Sequence, residues 1–180
     1  QPFSSMAGIA TLTKCPFPSP KTQGKIDIFH ATDHLIPKLS HIPVIATLMD
    51  AIPLSHPEWV HTRLAKLKNW LWRQTAQWAD HILTISEYSK HEIARCFGIP
   101  PEKISVIPLG VNQCYFERFS QEEKSEIVAR YALPDRFFLS LGTLQPRKNV
   151  ERILDAHGAL PERLQKEIPL VIVGRAGWGC

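Results

Sequence analysis

Six short runs of apolar, often β-branched residues, separated by stretches of helical periodicity, constrain this chain more than any other feature. Most of these runs are apolar on both alternating faces, which is typical of strands covered on both sides in a parallel sheet. The helical stretches supply the crossover connections that parallel strands require. The pattern therefore predicts an α/β, doubly wound architecture with a parallel Rossmann-like sheet. The predicted strands are 26–30, 44–49, 81–85, 104–107, 137–141 and 170–173.

Boundary residues place the helices between these strands. Ser86 is a suitable N-cap and Gly98 a stop signal for a helix that runs to about Phe97. Ser120 and Glu123 have the spacing of a capping box, which opens a helix over 121–131. Helical periodicity also predicts a long helix over roughly 58–79 and another over 150–160, while 109–112, after Pro108, interrupts the pattern as a crossing between two domains.

Charge and cysteine content exclude several classes of protein. The net charge of +4 comes from basic residues mostly mixed with acidic ones, unlike the basic stripes of nucleic-acid-binding proteins. Four cysteines without a Cys-x-x-Cys pair favour reduced thiols over a disulfide framework or a structural zinc site. No apolar run approaches the ~20 residues that span a bilayer, and residues 1–20 lack the features of a signal peptide. We therefore expect a cytoplasmic protein without nucleic-acid partners.

The segment 142–149 carries the clearest chemical signal. A predicted strand ends at Gly142, and a predicted helix begins after Asn149, its expected N-cap. Ligands of open parallel sheets bind beyond the carboxyl ends of strands, and a helix N-terminus favours a phosphate. Arg147 and Lys148 lie directly before that helix, where their charges oppose its dipole unless an anion is bound. The alternative is a solvated basic pair on a loop. The unfavourable position favours phosphate binding.

Four segments, in order along the chain, resemble those of family-4-type glycosyltransferases with the GT-B fold. Residues 47–54 (TLMDAIPL) resemble the family's T-I-H-D-L-x-P-L, and residues 84–90 (TISEYSK) resemble its T-V-S-E-x-S-K. Residues 107–111 (IPLGV) resemble I-P-x-G-V, and residues 142–149 (GTLQPRKN) resemble the loop G-x-x-x-x-R-K-N/G. One such match is weak evidence, whereas four in family order are strong.

The resemblance implies a domain assignment and an activity. Residues 1–108 would be the later part of an N-terminal, acceptor-side Rossmann-like domain. Residues 109–180 would be the interdomain crossing and the first βαβ unit of the nucleotide-sugar domain. The enzyme would transfer a hexose or mannose from a nucleoside-diphosphate sugar to a glycan or lipid-linked acceptor, with retention and without metal or cofactor. Pathways that build bacterial polysaccharides would use such an activity.

The family's motifs also assign roles to single residues. Lys148 and Arg147 would be catalytic, because they neutralise the charge of the leaving diphosphate. The family places V-G-x-x-G-W at 173–178, near the donor, although a simple tight turn explains these glycines equally well. The donor-side residues would be Gly142, Thr143, Asn149 and Gly174, and those on the acceptor or sugar side His30, Met49 and Asp50.

The chain departs from the family at several points. Thr143 stands where many members have an arginine, and Met49 replaces the histidine that faces the donor sugar, although methionine donates no hydrogen bond. Asp50 is retained, but a carboxylate at a strand end is often only a turn residue. The family's Glu-x7-Glu motif would follow residue 180, so we expect a fragment of a longer enzyme. The alternatives are a non-catalytic nucleotide- or sugar-binding remnant of this fold and an unrelated α/β nucleotide-binding enzyme.

Two further patterns concern metals and membranes. His30, Asp33 and His34 resemble metal ligands in type, but they follow a strand without helical spacing, so loop hydrogen bonding is the better interpretation. On the predicted helix 58–79, an apolar stripe would pack against the sheet. Beside it, tryptophans alternate with basic residues, which suits the surface of an anionic membrane but also an ordinary exposed helix. The stripe comprises Val60, Leu64, Leu67, Leu71 and Trp78, and the flanking set Trp59, Arg63, Lys66, Trp70 and Arg73.

Overall fold

The computed structural model describes residues 26–60 and 64–177. The chain divides into two compact units, residues 1–110 and 111–180. Arg63 of the tryptophan and basic set and Trp178 of the glycine-rich turn lie outside the described residues.

The first unit is built on a four-stranded parallel sheet. The strands are β1 (Phe29–Ala31), β2 (Val44–Thr47), β3 (His81–Thr84) and β4 (Ile104–Val106), and they lie in the order β1-β2-β3-β4. Phe29 pairs with Val44, Ile45 with His81, and Ile82 with Ile104. The predicted α/β class and the parallel strand direction are therefore confirmed. The strands are shorter than the apolar runs that predicted them: β1 begins later, at Phe29, whereas β2, β3 and β4 each end one or two residues earlier.

The core of this unit lies where alternate strand residues meet the helices. Val44 and Ala46 of β2 and Ile82 and Thr84 of β3 are buried, while the residues between them are half-buried. Both faces of the sheet are therefore at least partly covered, as the apolar runs predicted. The buried apolar residues are Ala31, Ile36, Val44, Ala46, Leu48, Ala51, Ala76, Ala79, Ile82, Ile93, Phe97, Ile99 and Ile104.

The prediction of one long helix over 58–79 is wrong. A short helix α1 (Ile52–Ser55) lies before this segment, which itself contains the end of a 3₁₀ turn (Pro57–Trp59) and a separate helix α2 (Ala65–Ala76). Proline residues lie in the first turns of α1 and of the 3₁₀ turn, where proline is tolerated because it needs no amide donor. Leu64, directly before α2, has left-handed backbone angles, φ 60° and ψ 37°, which no α-helix accommodates.

The predicted core stripe is correct only in part: Leu71 and Trp78 are half-buried, but two of its leucines are exposed. Leu64 is 71% exposed and Leu67 is 56% exposed, so neither packs against the sheet. The side of α2 that meets the core carries Trp72, Thr75 and Ala76 instead. The prediction assumed one helix over 58–79 and placed its leucines on the buried side. The helix begins only at Ala65, and its fully buried residues are the small side chains Thr75 and Ala76.

A third helix, α3 (Glu87–Ile93), connects β3 to β4. The Ser86 hydroxyl accepts a hydrogen bond from the Ser89 amide at 3.1 Å, which confirms the predicted N-cap. The helix continues as a π-helical turn (Ala94–Gly98), where Gly98 has φ 70°. The predicted stop at Gly98 is thus confirmed, since glycine adopts left-handed angles without steric cost.

The second unit contains α4 (Gln121–Arg130), β5 (Phe138–Leu141), α5 (Val150–Gly158), α6 (Glu162–Glu167) and β6 (Leu170–Val173). The capping box of α4 is confirmed: Ser120 Oγ accepts from the Glu123 amide at 3.1 Å, and Glu123 Oε2 accepts from the Ser120 amide at 2.7 Å. β5 pairs in parallel with β6. The sequence did not predict α6. No helix within residues 26–60 and 64–177 is long and apolar enough to cross a bilayer.

None of the described residues of the second unit, 111–177, is buried. The prediction of a buried strand over 137–141 is therefore wrong: Phe138, Leu139 and Leu141 of β5 are exposed, Leu141 by 74%. Among the described residues β5 has one strand neighbour, β6, so no second partner covers its other edge. Apolar sequence predicted the strand correctly, but burial depends on what packs against it.

Two glycines after β6 allow the backbone to approach the loop that follows β5. The Leu144 amide donates to the Arg175 carbonyl at 2.9 Å, and the Gly177 amide donates to the Leu144 carbonyl at 2.9 Å. A Cβ at Gly174 would overlap the carbonyl oxygen of Gly142, and one at Gly177 would overlap that of Leu144. Only glycine permits this approach, because any side chain would meet backbone rather than a flexible atom.

We expect the amides of β5 and β6 to exchange with solvent faster than those of β2 and β3. Exchange protection follows burial and local contact density, and the described part of the second unit has no buried residue. Native-state hydrogen exchange of the 180-residue chain, comparing 137–173 with 44–107, measures the difference. Equal and strong protection in both segments would contradict this expectation.

We expect Gly174→Ala to destabilise the second unit by about 1–3 kcal/mol, because the new Cβ forces backbone apart. Gly158 is the matched control, since a Cβ there meets no atom within 4 Å and the residue ends α5. Gly158→Ala should leave stability unchanged or raise it by up to about 1 kcal/mol. Urea unfolding of the two variants tests this, and equal midpoints would disprove the role assigned to Gly174.

Candidate functional site

The loop 142–149 forms a sharp connection between β5 and α5. Gly142 has φ 149°, and Pro146–Lys148 form one 3₁₀ turn. Asn149 occupies the predicted N-cap position of α5, but its backbone is left-handed (φ 52°, ψ 42°) and its side chain makes no capping hydrogen bond. Asn149 is thus the N-cap residue, as predicted, but it does not make the capping hydrogen bond expected of it. The amides of the first turn of α5 are left without a side-chain cap, which makes them available to an anion.

The two cations of this loop differ in their surroundings. Lys148 is exposed, and its Cε lies 3.7 Å from where a Cβ of Gly142 would stand. Its ammonium has no ion pair within the described parts of the chain. Arg147 is bound locally: with the Gln145 amide turned so that its oxygen faces the guanidinium, that oxygen accepts from Arg147 Nε at 2.8 Å and Nη2 at 3.0 Å. Lys148 is therefore the cation free to meet a ligand.

The glycine-rich turn after β6 holds this loop in place. The backbone contacts of Gly174 and Gly177 with residues 142–144 fix the start of the loop, and the methyl group of Thr143 lies 3.0 Å from where a Cβ of Gly177 would stand. This is the tight backbone approach that the sequence offered as one interpretation of the glycines. Whether Gly174 also contacts a donor stays a prediction. Thr143 is exposed, and it offers one hydroxyl at the position where many family members have an arginine.

In the first unit, the acceptor-side candidates lie at the carboxyl edge of the sheet. The ring of His30 is hydrogen-bonded through Nε2 to Thr47 Oγ1 at 2.8 Å, which ties β1 to β2. Met49 is 53% exposed, so its thioether is free of the core. Asp50 Oδ1 accepts from the Ile52 amide at 3.0 Å, as expected of a turn residue, which leaves its second oxygen for other partners.

Asp50 borders a small hollow that the sequence did not predict. This hollow, of about 180 Å³, is bounded by carboxylates and rings that α1, the 3₁₀ turn and α3 bring together. The rings of His56 and Trp59 stack with centroids 3.9 Å apart. The signal for it was the sequence His-Pro-Glu-Trp at 56–59, close after Asp50. Its functional groups are those of Asp50, Ser55, His56, Trp59, Tyr88, Ser89 and Glu92.

Two glutamates near this hollow, Glu58 and Glu92, have lowered pKa values. Backbone hydrogen bonding, followed by a hydrogen bond with His56 (Oε1 to Nδ1, 3.1 Å), lowers the pKa of Glu58. The Arg95 guanidinium, with Nη2 2.8 Å from Oε2, lowers the pKa of Glu92. Ionised carboxylates accept hydrogen bonds from sugar hydroxyls, and aromatic rings pack against the apolar face of a sugar.

His30 of β1 and His34 after it each have a contact other than a metal. Within residues 26–60 and 64–177, no three His, Cys, Asp or Glu side chains come together as metal ligands. His30 bonds to Thr47, whereas the ring of His34 packs on Trp72 with centroids 4.8 Å apart. Hydrogen bonding accounts for the ring of His30, whereas the buried Nε2 of His34 has no hydrogen-bond partner among the described residues.

Comparison with curated proteins identifies two relatives that are mannosyltransferases by name. The O-antigen chain mannosyltransferase B of Escherichia coli is 35% identical over 101 residues, which are 56% of this chain and 26% of that protein. The serotype-specific mannosyltransferase WbdA of Escherichia coli is 33% identical over 95 residues, 52% of this chain and 12% of that protein. The chain thus spans about a quarter of the first relative and less of the second.

Solved structures share the fold. The crystal structure of Anabaena Alr3699/HepE in complex with UDP superposes with a TM-score of 0.62 at 17% identity, covering 98% of this chain and 44% of that one. The same protein in complex with UDP-glucose gives 0.61. The predicted GT-B-like fold is thereby confirmed.

The family profile agrees with the motifs. Glycosyltransferase Family 4 matches residues 19–113, which is more than half of the 180-residue chain and includes three of the four segments that carry the resemblance. With the matching fold and relatives, this shows that the chain belongs to Glycosyltransferase Family 4.

Proposed function

We propose that this chain is part of a glycosyltransferase that moves a sugar from a nucleoside-diphosphate sugar to a glycan or lipid-linked acceptor. The transfer proceeds with retention at the anomeric carbon and without a metal ion. The names of the relatives support a hexosyl or mannosyl donor and a polysaccharide product. The nucleotide complexes of the structural neighbour support a nucleoside diphosphate as the leaving group.

The observation that carries this proposal is Lys148, exposed and without an ion pair among the described residues, in the 3₁₀ turn directly before the uncapped N-terminus of α5. When the glycosidic bond to the donor breaks, negative charge grows on the diphosphate. A cation and backbone amides already in position stabilise that charge more than they stabilise the bound donor, and this difference accelerates the reaction. No metal is needed for the step, since Lys148 and the helix terminus supply the positive potential.

On the acceptor side, we propose that the free carboxylate oxygen of Asp50 accepts a hydrogen bond from a sugar hydroxyl. The hollow beside it supplies stacked rings for the apolar face of a sugar. Met49 leaves this edge without the hydrogen bond that a histidine would give, so donor selection rests on other groups.

A non-catalytic remnant of the same fold is the competing proposal. The exposed thioether of Met49 favours it, because this side chain does not replace the hydrogen bond of a histidine. The two proposals differ in one consequence: a remnant binds a nucleotide sugar at the loop 142–149 without turning it over.

In the full enzyme, we expect Lys148→Ala to lower kcat by about 10²–10³, the usual effect of losing one preorganised charge contact. Stability should be nearly unchanged, because the side chain is exposed. Steady-state kinetics with the nucleotide sugar and a thermal unfolding curve measure the two effects. Lys148→Arg should restore only part of the rate, because a planar guanidinium does not fill the place of a compact ammonium.

Arg147→Ala is the matched control from the same loop. Its side chain is held by Gln145, so we expect a smaller loss than for Lys148→Ala. Lys166→Ala is a control for general loss of charge, because Lys166 is exposed in α6 and ion-paired with Glu162. It should leave turnover unchanged. Normal turnover in Lys148→Ala would show that Lys148 does not act on the phosphate. Arg147 and Lys148 would then be an ordinary solvated basic pair.

Asp50→Asn separates the turn role of this residue from its chemical role. Asparagine keeps an oxygen that accepts from the Ile52 amide, so the turn is preserved. Loss of the negative charge should still lower kcat/KM by about 10–100-fold, the effect of one hydrogen bond to a charged group. Kinetics at varied acceptor concentration measure it. If Asp50→Asn is fully active while Asp50→Ala is unstable, Asp50 is a turn residue only.

A further inference from the structure

The outward side of α2 carries apolar residues that contribute nothing to the core. Leu67 is 56% exposed and Trp70 is 44% exposed, and Leu64, directly before the helix, is exposed as well. The helix is held through its other side, where Trp72 packs on the core and Asn69 Nδ2 donates to the Pro53 carbonyl at 2.6 Å. These apolar residues are therefore not needed to keep α2 in place.

Cations surround this apolar surface. The residues of α2, 65–76, include Lys66, Lys68 and Arg73 and no acidic residue. Beside the helix, an open hollow of about 950 Å³ separates α2 from the π-helical turn. Among the described residues, three cations line it, namely Lys66, Arg73 and Arg95, and no carboxylate does. Arg95 is paired with Glu92, whereas Lys66 and Arg73 have no ion pair within the described residues.

We propose that this side of α2 docks on the surface of an anionic lipid bilayer. Trp70 and Leu67 enter the boundary between headgroups and acyl chains, where the amphipathic ring of tryptophan is favoured. Lys66 and Arg73 extend from the same side towards the headgroups, and the hollow between them accepts a lipid phosphate. Lys68 flanks the apolar residues on the other side of the helix.

Charge and shape favour a bilayer over other anionic partners. Proteins bind single-stranded nucleic acids through cations and through aromatic rings that stack on the bases. This mode of binding would leave the exposed Leu67 beside Trp70 without a partner. A protein partner of ordinary kind brings both signs of charge, whereas the residues of α2 carry cations and no acid. A bilayer with anionic headgroups matches both the cations and the apolar side chains, because it presents negative charge above hydrocarbon.

Binding to vesicles tests the proposal without any use of turnover, so its result is independent of the proposed reaction. The purified protein is floated with vesicles of phosphatidylcholine alone or with phosphatidylglycerol, at low and at high salt. We expect binding to the anionic vesicles, weaker at high salt because ions screen the cations. No binding to anionic vesicles at low salt would overturn the proposal.

Two paired variants separate the charged from the apolar contribution. Lys66→Gln/Arg73→Gln should weaken binding by about thirtyfold, the effect of two cations at an anionic surface. Leu67→Ser/Trp70→Ser should weaken it by about tenfold or more, because insertion of apolar area is lost. Both double variants should keep the unfolding temperature of the parent protein, since all four side chains are exposed.

Arg118→Gln/Lys124→Gln is the control, because it removes two exposed cations from the second unit. It should bind vesicles as the parent protein does. Equal weakening in the control would mean that net charge alone drives binding and would overturn the assignment to α2. Unchanged binding in Leu67→Ser/Trp70→Ser, together with equal affinity for heparin or single-stranded RNA, would assign a general anion surface and overturn the bilayer.

Discussion

The pairing of β2 with β3 is the constraint on which the first unit depends. Asp80, the residue before β3, both donates its amide to the Val44 carbonyl at 2.8 Å and accepts from the Val44 amide through Oδ2 at 2.7 Å. This double contact sets the register at the start of both strands. Because parallel strands in register end at the same edge, Asp50 after β2 and Ser86 after β3 follow strand ends at that edge. The hollow beside Asp50 is thus a consequence of strand register.

In the second unit, backbone contacts define the path of the loop after β5. The described residues bury no side chain there, yet the loop after β5 has a defined path, because hydrogen bonds join it to the turn after β6. The absence of side chains at Gly174 and Gly177 makes this contact possible. The geometry around Lys148 therefore depends on two glycines that lie about thirty residues further along the chain, and a change there would move the loop without touching any of its residues.

Patterns with a local physical cause were predictable from the sequence. The strands, the Ser86 cap, the Ser120–Glu123 capping box and the stop at Gly98 depend on neighbouring residues only. The errors concern burial and partners, which distant residues decide. Leu64 and Leu67 have the spacing of a core stripe but lie on the exposed side of α2, and β5 has the composition of a buried strand but is exposed. The sequence placed Asp50 and Lys148 in their loops and could not show the hollow beside the first or the free ammonium of the second.

The basic pair of the loop 142–149 illustrates why a motif needs its surroundings to be interpreted. In the sequence, Arg147 and Lys148 are equivalent: two adjacent cations before a helix. In the structure, the Gln145 amide holds the guanidinium of Arg147 beside the 3₁₀ turn, while Lys148 lies along Gly142, where a larger residue would meet its side chain. A held cation stiffens the loop, since its hydrogen bonds restrict the turn. A free one is available to a ligand, because no carboxylate among the described residues pairs with it. The two cations thus differ because of their neighbours. Gln145 binds Arg147, which shapes the loop, whereas Gly142 leaves room for Lys148, which can act on a phosphate.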